Sequence, residues 1–379
     1  MKKLYYENCH LKEFSAAVTG CEEKDGLWEI TLDATAFYPE GGGQPWDLGT
    51  LADANVLQVK ERGEEIIHLC DKPLAVGERV SGAVDWQRRL DLMQQHTGEH
   101  ILSGLIHKTF GYHNVGFHMG KQMVEIDFDG PISWEQAMDL EKQANQAVWD
   151  NLPVNCSVPS PEELEKAVYR SKRKLPWPVR IVEIPGIDSC ACCGVHTKTT
   201  GEVGLIKIVS CAKFHDGVRL ELVCGGRAYE YMAAIFEENR KISQLLSAKM
   251  PETFQAVQRL SDGLNEEKLR AAALQKQVFE STAKDYVNQE NVVHFEDDLT
   301  GGQLRLLAEK ISGVCSGFAA VFSSAGDGCD YCLAQPGADL RQLGKDMNQT
   351  LGGRGGGKPE FQQGHLGARR EEILSFFGK

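Results

Sequence analysis

The sequence predicts an α+β multidomain chain. Its parts are a small N-terminal β-barrel over 1–84, an α+β domain carrying metal-ligand spacings over 85–227, a helical spacer over 228–289, and a glycine-rich α/β domain over 290–379. Three observations lead there. Short alternating runs separated by Gly- and Asp-containing turns dominate the N-terminal part. Apolar residues recur at three- and four-residue steps from about 85 and again beyond 228. After about 290, strand-like and helix-like runs alternate around clustered glycines.

The runs Leu27–Leu32 and Glu65–Leu69 set the barrel reading, at spacings typical of a small closed sheet. One turn stands apart, Phe37-Tyr-Pro-Glu-Gly-Gly-Gly-Gln-Pro-Trp46. Asp85 is a natural N-cap for a helix that stops at Gly111, with Leu90, Met93, Thr97, Ile101, Leu105 and Phe110 on one buried face. A second helix is expected over 133–150, then strands around 180–185, 203–209 and 218–224. From Ala228 the chain reads as long helix, broken near Pro251. Val257, Leu260, Leu264, Ala271, Leu274 and Val278 then form the stripe of a helical hairpin or coiled coil. Strands near 291–295 and 318–322 alternate with helices over 302–313, 338–350 and 368–377.

The 379 residues are 42% hydrophobic and 25% charged, which excludes a largely disordered chain. No run approaches the length of a membrane-spanning helix, and the N-terminus lacks the apolar stretch of a signal peptide, so a cytoplasmic protein with no membrane partner is expected. The net charge of −13 weighs against a nucleic-acid partner, but residues 166–180 hold six basic residues and no acid. In a reducing compartment the twelve cysteines are thiols or metal ligands rather than disulfides. The scattered ones read as small buried hydrophobes. The exceptions are Cys190, Cys192 and Cys193.

His96-Thr-Gly-Glu-His100 places two imidazoles at i and i+4 on one helix face, the spacing of two ligands to one metal. The plain alternative is a pair of partly exposed histidines. Cys192 and His196 form a Cys-x₃-His pair in a glycine-containing turn, with Cys190 and Cys193 competing for the thiolate role. Three histidines and a thiolate make a borderline-soft tetrahedral set suited to zinc. His96-x-x-Glu99-His100 also fits the inverted zinc-protease pattern with Glu99 as general base. That reading expects a downstream glutamate to complete the site.

HTGEH at 96–100, CCGVH at 192–196 and TAFYPEGGGQPWDLGTL at 35–51 together resemble the editing domain of alanyl-tRNA synthetase and its free-standing relatives, the AlaX proteins. Arg219–Arg227 is similar to the strand after the second zinc motif in that family. LGGRGGGKPEF at 351–361 resembles the synthetase's glycine-rich C-terminal domain, which is shared with DHH-type phosphoesterases. The Asp-His-His part of those phosphoesterases is absent. With no room for an aminoacylation domain before Thr35, the chain looks like a long-form AlaX.

The resemblance implies hydrolysis of the ester joining serine, or secondarily glycine, to the 3′ end of alanine tRNA. It implies zinc held by His96, His100, Cys192 and His196. It associates Gly41, Gly42, Gly43 and Gln44 with admitting serine and rejecting alanine, with Thr35 and Gln44 as candidate contacts to the serine hydroxyl. A site built to hydrogen-bond a hydroxyl rejects the analogue lacking it. Glu99 stands open as a base, a contact to the substrate amine, or a solvated helix residue. His118 is a candidate proton-transfer group. The tRNA partner would meet Arg170, Lys172, Arg173 and Lys174, or Arg354 and Lys358 in the glycine-rich run. The spacer is compatible with a homodimer through the C-terminal half. The other open reading is a non-catalytic tRNA-binding protein with structural zinc.

Overall fold

The computed structural model describes residues 1–171 and 175–379. It divides into two compact units, Met1–Lys241 and Ile242–Lys379.

In the first unit six strands pair antiparallel into a closed barrel, in the order Glu13–Lys24, Leu27–Leu32, Glu65–Cys70, Ala54–Arg62, Gly49–Leu51 and Arg79–Val84. Period-2 alternation drives the closure: Val80, Gly82 and Val84 are buried between exposed Arg79, Ser81 and Ala83. The interior is filled by Val18, Ile30, Leu32, Phe37, Val56, Val59 and Ile66.

The long helix runs Trp86–Phe110. Asp85 caps it by accepting from the Arg88 N–H at 3.1 Å, and Gly111 ends it at φ 76°. It departs from the expected single buried face: every residue from Gln95 to Ile106 is buried. Tyr5, Tyr38, Met93 and Val195 pack together on one side. On the other, Leu92, Ile101, Leu102 and Leu105 join the core of a four-stranded sheet and the helix Trp134–Trp149. That antiparallel sheet runs Ile206–Phe214, Gly217–Cys224, Val124–Phe128, Asn114–Met119. A three-stranded sheet, Asn155–Ser157, Ile181–Ile184 and Asp188–Ala191, leads directly into Cys192.

Two features press this framework together. Arg89 and Asp47, both fully buried, form an ion pair in which the guanidinium also donates to the carbonyls of Ala36 (2.6 Å) and Cys9 (3.2 Å). Asp47 accepts in turn from the Tyr38 N–H, so the segment holding the glycine turn is tied to the helix two turns before His96. On the same helix, a Cβ at Gly104 would lie 2.6 Å from both the Asp188 Cβ and the Ile187 carbonyl oxygen. Only glycine permits that approach.

In the second unit, strands Val292–Phe295, Ala319–Ala325, Gly328–Ala334, Phe361–Leu366 and Arg354–Lys358 form one sheet in that order. The first pair is parallel and the others antiparallel. The helix Gly301–Ser312 packs on it through Leu304, Leu307 and Ile311, joined by Phe279 and Ala283 from the end of the helix Thr253–Lys284. Along the rest of that helix the stripe Val257, Leu260, Leu264, Leu274 and Val278 is exposed.

No helix among the described residues is long and apolar enough to cross a membrane. All twelve cysteines are free thiols. Cys70, Cys224, Cys329 and Cys332 are buried, but Cys156 is exposed, because its strand Asn155–Ser157 lies at a sheet edge.

Candidate functional site

His96 and His100, one turn apart on the long helix, meet Cys192 and His196 from the turn after Asp188–Ala191. One donor atom of each lies within 4.8 Å of the others. Cys192 Sγ is 3.5 Å from His96 Nε2 and 3.8 Å from His196 Nε2.

Hydrogen bonds fix the ring orientations of His96 and His100. Gln44 Oε1 accepts from the Val195 N–H at 3.1 Å, which orients the amide, so His96 Nδ1 at 2.8 Å from the same oxygen must carry a proton. Its Nε2 is left as a lone pair toward Cys192. His100 Nδ1 donates to Asp188 Oδ2 at 2.9 Å, with the same consequence. Asp188 is gripped by Arg170 through a two-pronged contact, Nε to Oδ1 at 2.7 Å and Nη2 to Oδ2 at 2.8 Å. Such outer partners orient metal-binding imidazoles.

Burial opposes ionisation of the Cys192 thiol, but the imidazoles of His96, His196 and His100 override it and hold the thiol well below its ordinary value. Burial likewise opposes a charged His100, but Asp188 and Cys192 raise it well above the usual histidine range. Burial and then His96 push His196 down to about 3. Burial would raise Asp188, yet its bonds to His100 and Arg170 bring it to about 2. The cluster thus offers a thiolate and imidazole nitrogens, with His100 giving up its Nε2 proton when an ion binds, a donor set that fits a divalent zinc-like ion. Cys190 is pushed up to about 11 by burial, and Cys193 is exposed, so neither matches Cys192 as a thiolate donor.

His96, His100 and Cys192 of the cluster form one wall of a cavity of about 460 Å³. Gly42 and Gly43 line it at φ 60° and 85°, and a Cβ on Gly43 would strike the Phe117 ring at 2.6 Å. The turn closes through paired backbone hydrogen bonds between Gly41 and Gln44. Phe117 also stacks on His96, with ring centroids 5.2 Å apart.

Residues 179–220 match the family described as threonyl and alanyl tRNA synthetase second additional domain, and residues 4–88 match tRNA synthetases class II (A). The alanyl-tRNA editing protein AlaX-L of Pyrococcus horikoshii is 28% identical over 99% of this chain and 96% of its own length. The alanyl-tRNA editing protein Aarsd1 of Rattus norvegicus is 32% identical over 69% of this chain and 68% of its own. The chain belongs to the alanyl-tRNA editing protein family. It is also 33% identical to the alanine–tRNA ligase of Thermofilum pendens over 96% of its length, but spans only 42% of that ligase.

Against this family background, several residues sit where the sequence alone does not put them. Thr35 is fully buried in the barrel, its hydroxyl 2.8 Å from His68 Nε2 and accepting from the Phe37 N–H. Gln44 spends its oxygen on His96 and Val195. Glu99 is 5% exposed and lines the cavity, so it is not a solvated helix residue. His118 is exposed, on the strand face opposite Phe117. Arg170 is not a free surface cation but the clamp on Asp188. Lys172, Arg173 and Lys174 lie outside the described residues. Arg354 and Lys358 are exposed on the edge strand of the second unit. Among the described residues, Cys192 and His196 are the groups that meet His96 and His100, and no downstream glutamate joins them.

Sequence reasoning misses Asp188, Asn114, Phe117 and His113. Asp188 is 88 residues from His100 and belongs to no motif. Asn114, Phe117 and His113 reach the cavity only because the chain doubles back after Gly111.

Proposed function

We propose that this protein is a trans-acting deacylase that removes the wrong amino acid, serine first and glycine second, from alanine tRNA, in a zinc-dependent site. The observation carrying this reading is the convergence of His96, His100, Cys192 and His196, the first three of them on the wall of the cavity that the Gly42–Gly43 turn enters. Family membership supports the editing role. Water adds to the acyl carbon, the bond to the ribose oxygen breaks, and free amino acid and tRNA leave, the ribose oxygen taking a proton.

His96, His100, Cys192 and His196 would hold the ion, which when bound supplies a Lewis-acidic positive charge beside the ester. Gln44 and Asp188 keep the His96 and His100 rings in their donor orientation. Gly42 and Gly43 let backbone approach a small acyl group that any side chain would push away. Thr35 is engaged in the barrel and neither it nor Gln44 lines the cavity, so the glycine-turn backbone is the better candidate for contact with the serine side chain. Phe117 walls the cavity and restricts water. Arg354 and Lys358 are exposed cations available to tRNA phosphates. The exposed stripe Val257 to Val278 supports a homodimer through the C-terminal half, which sedimentation across a concentration series tests.

The deciding experiment follows release of serine from serine-charged alanine tRNA, beside alanine-charged tRNA, with and without a chelator. Chelator-sensitive loss of serine with alanine left intact is expected. Stable zinc without hydrolysis would turn the site into a structural one and leave a tRNA-binding protein.

A further inference from the structure

Glu99 and Asn114 present two hydrogen-bond acceptors to the cavity that no side chain among the described residues satisfies. Glu99 Oε1 accepts twice, from Ser103 Oγ at 2.6 Å and Asn114 Nδ2 at 2.7 Å. Glu99 Oε2 accepts no hydrogen bond; its ionic neighbour is His100 Nε2 at 3.9 Å, beyond hydrogen-bond reach. The contact between the two residues settles the asparagine's orientation. A carboxylate oxygen that already accepts from a hydroxyl demands the amide NH₂ rather than its oxygen. Asn114 Oδ1 is therefore the other free end, and it is buried without a partner in a side chain only 9% exposed.

Both residues line the cavity, one from the long helix and one from the strand Asn114–Met119. Burying an acceptor without a partner is costly, so Asn114 Oδ1, beside the Glu99 Oε2 that accepts no hydrogen bond, is arranged for a donor supplied from outside. The arrangement asks for a small group, cationic and rich in N–H donors. Among the described residues lining the cavity, the guanidinium of Arg170 is committed to Asp188.

An aminoacyl ester carries one such group. We propose that Glu99 Oε2 and Asn114 Oδ1 hold the α-ammonium of the aminoacyl group, fixing the ester carbonyl relative to the His96–His100–Cys192–His196 cluster. This rests on the deacylase reading above. It makes Glu99 a substrate-binding residue rather than a proton carrier. It also explains why a carboxylate occupies the buried helix face between two imidazoles. A mischarged glycine presents the same ammonium, so this contact recognises aminoacyl esters as a class and leaves side-chain choice to the glycine turn.

The test compares two esters of alanine tRNA: seryl, and the 2,3-dihydroxypropanoyl ester obtained by deaminating it, which replaces the ammonium by a hydroxyl of similar size. The wild-type kcat/KM is expected to fall roughly ten- to a hundred-fold on that replacement, the worth of a hydrogen bond to a charged group. E99Q, with its zinc content checked, should lose a similar factor on the seryl ester and be nearly indifferent to the replacement. Equal wild-type rates on both esters would overturn the proposal. So would E99Q slowing both esters by the same factor, the mark of a proton-transfer role. The wild-type comparison needs no variant to fold. Wild-type protein inert toward both esters would instead remove the deacylase reading, and this inference with it.

Discussion

Gln44 and His96 are separated by 52 residues in the chain and by 2.8 Å in the fold, and their hydrogen bond determines which nitrogen His96 turns toward Cys192. The glutamine comes from the glycine turn that follows the first barrel strands, and the histidine from the helix that follows the barrel. The contact therefore couples the wall that would meet the substrate to the cluster that would hold the metal.

Replacing Gln44 with Met, which keeps volume but removes the acceptor, should weaken zinc binding about ten- to a hundred-fold, the usual cost of losing an outer partner of a metal-bound imidazole. Competition with a chromophoric chelator measures it. An unchanged affinity would show that the Gln44 contact does not orient the ring.

Cys192→Ala should abolish stoichiometric zinc, because it removes the one cysteine whose thiol the site holds well below its ordinary value. Cys190→Ala and Cys193→Ala should retain it. Metal-to-protein ratios by elemental analysis decide between the three thiols. Zinc lost in the Cys190 variant and kept in the Cys192 variant would reassign the ligand.

Arg89→Met should destabilise the protein by about 3–5 kcal/mol, since it strands Asp47 as an uncompensated buried charge. Adding Asp47→Asn to it should recover part of the loss. Urea unfolding of the single and double variants reads both. The pair also ties the glycine turn to the helix, so the single variant should lose serine release beyond what its unfolded fraction explains.

His68 makes a pH prediction away from the metal cluster. It is fully buried in the barrel, and burial lowers its value to about 4, although its bond to the Ile30 carbonyl acts in the opposite direction. Above the ordinary histidine value neither the folded nor the unfolded chain binds this proton, so His68 adds no pH dependence there. As pH falls below that value, the unfolded chain is protonated and the folded one is not. The His68 contribution therefore destabilises progressively down to about pH 4, by about 3 kcal/mol in full. Ring proton shifts by NMR should show His68 still neutral at pH 5. A charged ring at pH 6 would contradict the burial account.

Much of this protein is local chemistry that the sequence carries on its face. The Asp85 cap and the Gly111 stop bound the long helix to within a residue, because capping depends on side chains a few positions apart. The i, i+4 spacing of His96 and His100 and the Cys192-x₃-His196 pair each announce half of a ligand set for the same reason. The sequence also poses the question of Glu99 without answering it, since a helical glutamate between two histidines reads equally well as solvated or buried.

Tertiary structure alone decided how those pieces meet. It chose Cys192 over Cys190 and Cys193, because only its sulfur lies among three imidazoles. It turned Arg170 from a surface cation into the support of Asp188, and it placed the Thr35 hydroxyl against His68 in the barrel interior. It buried the middle of the long helix on all sides where period alone suggests one face, since Tyr5, Tyr38 and Val195 cover one side and a sheet with the helix Trp134–Trp149 the other. The physical reason is common to all of these. Side-chain identity and spacing set what a residue can do within a turn of its own element, whereas burial, charge and free hydrogen-bonding capacity depend on neighbours dozens of residues away, which only the packed fold brings near.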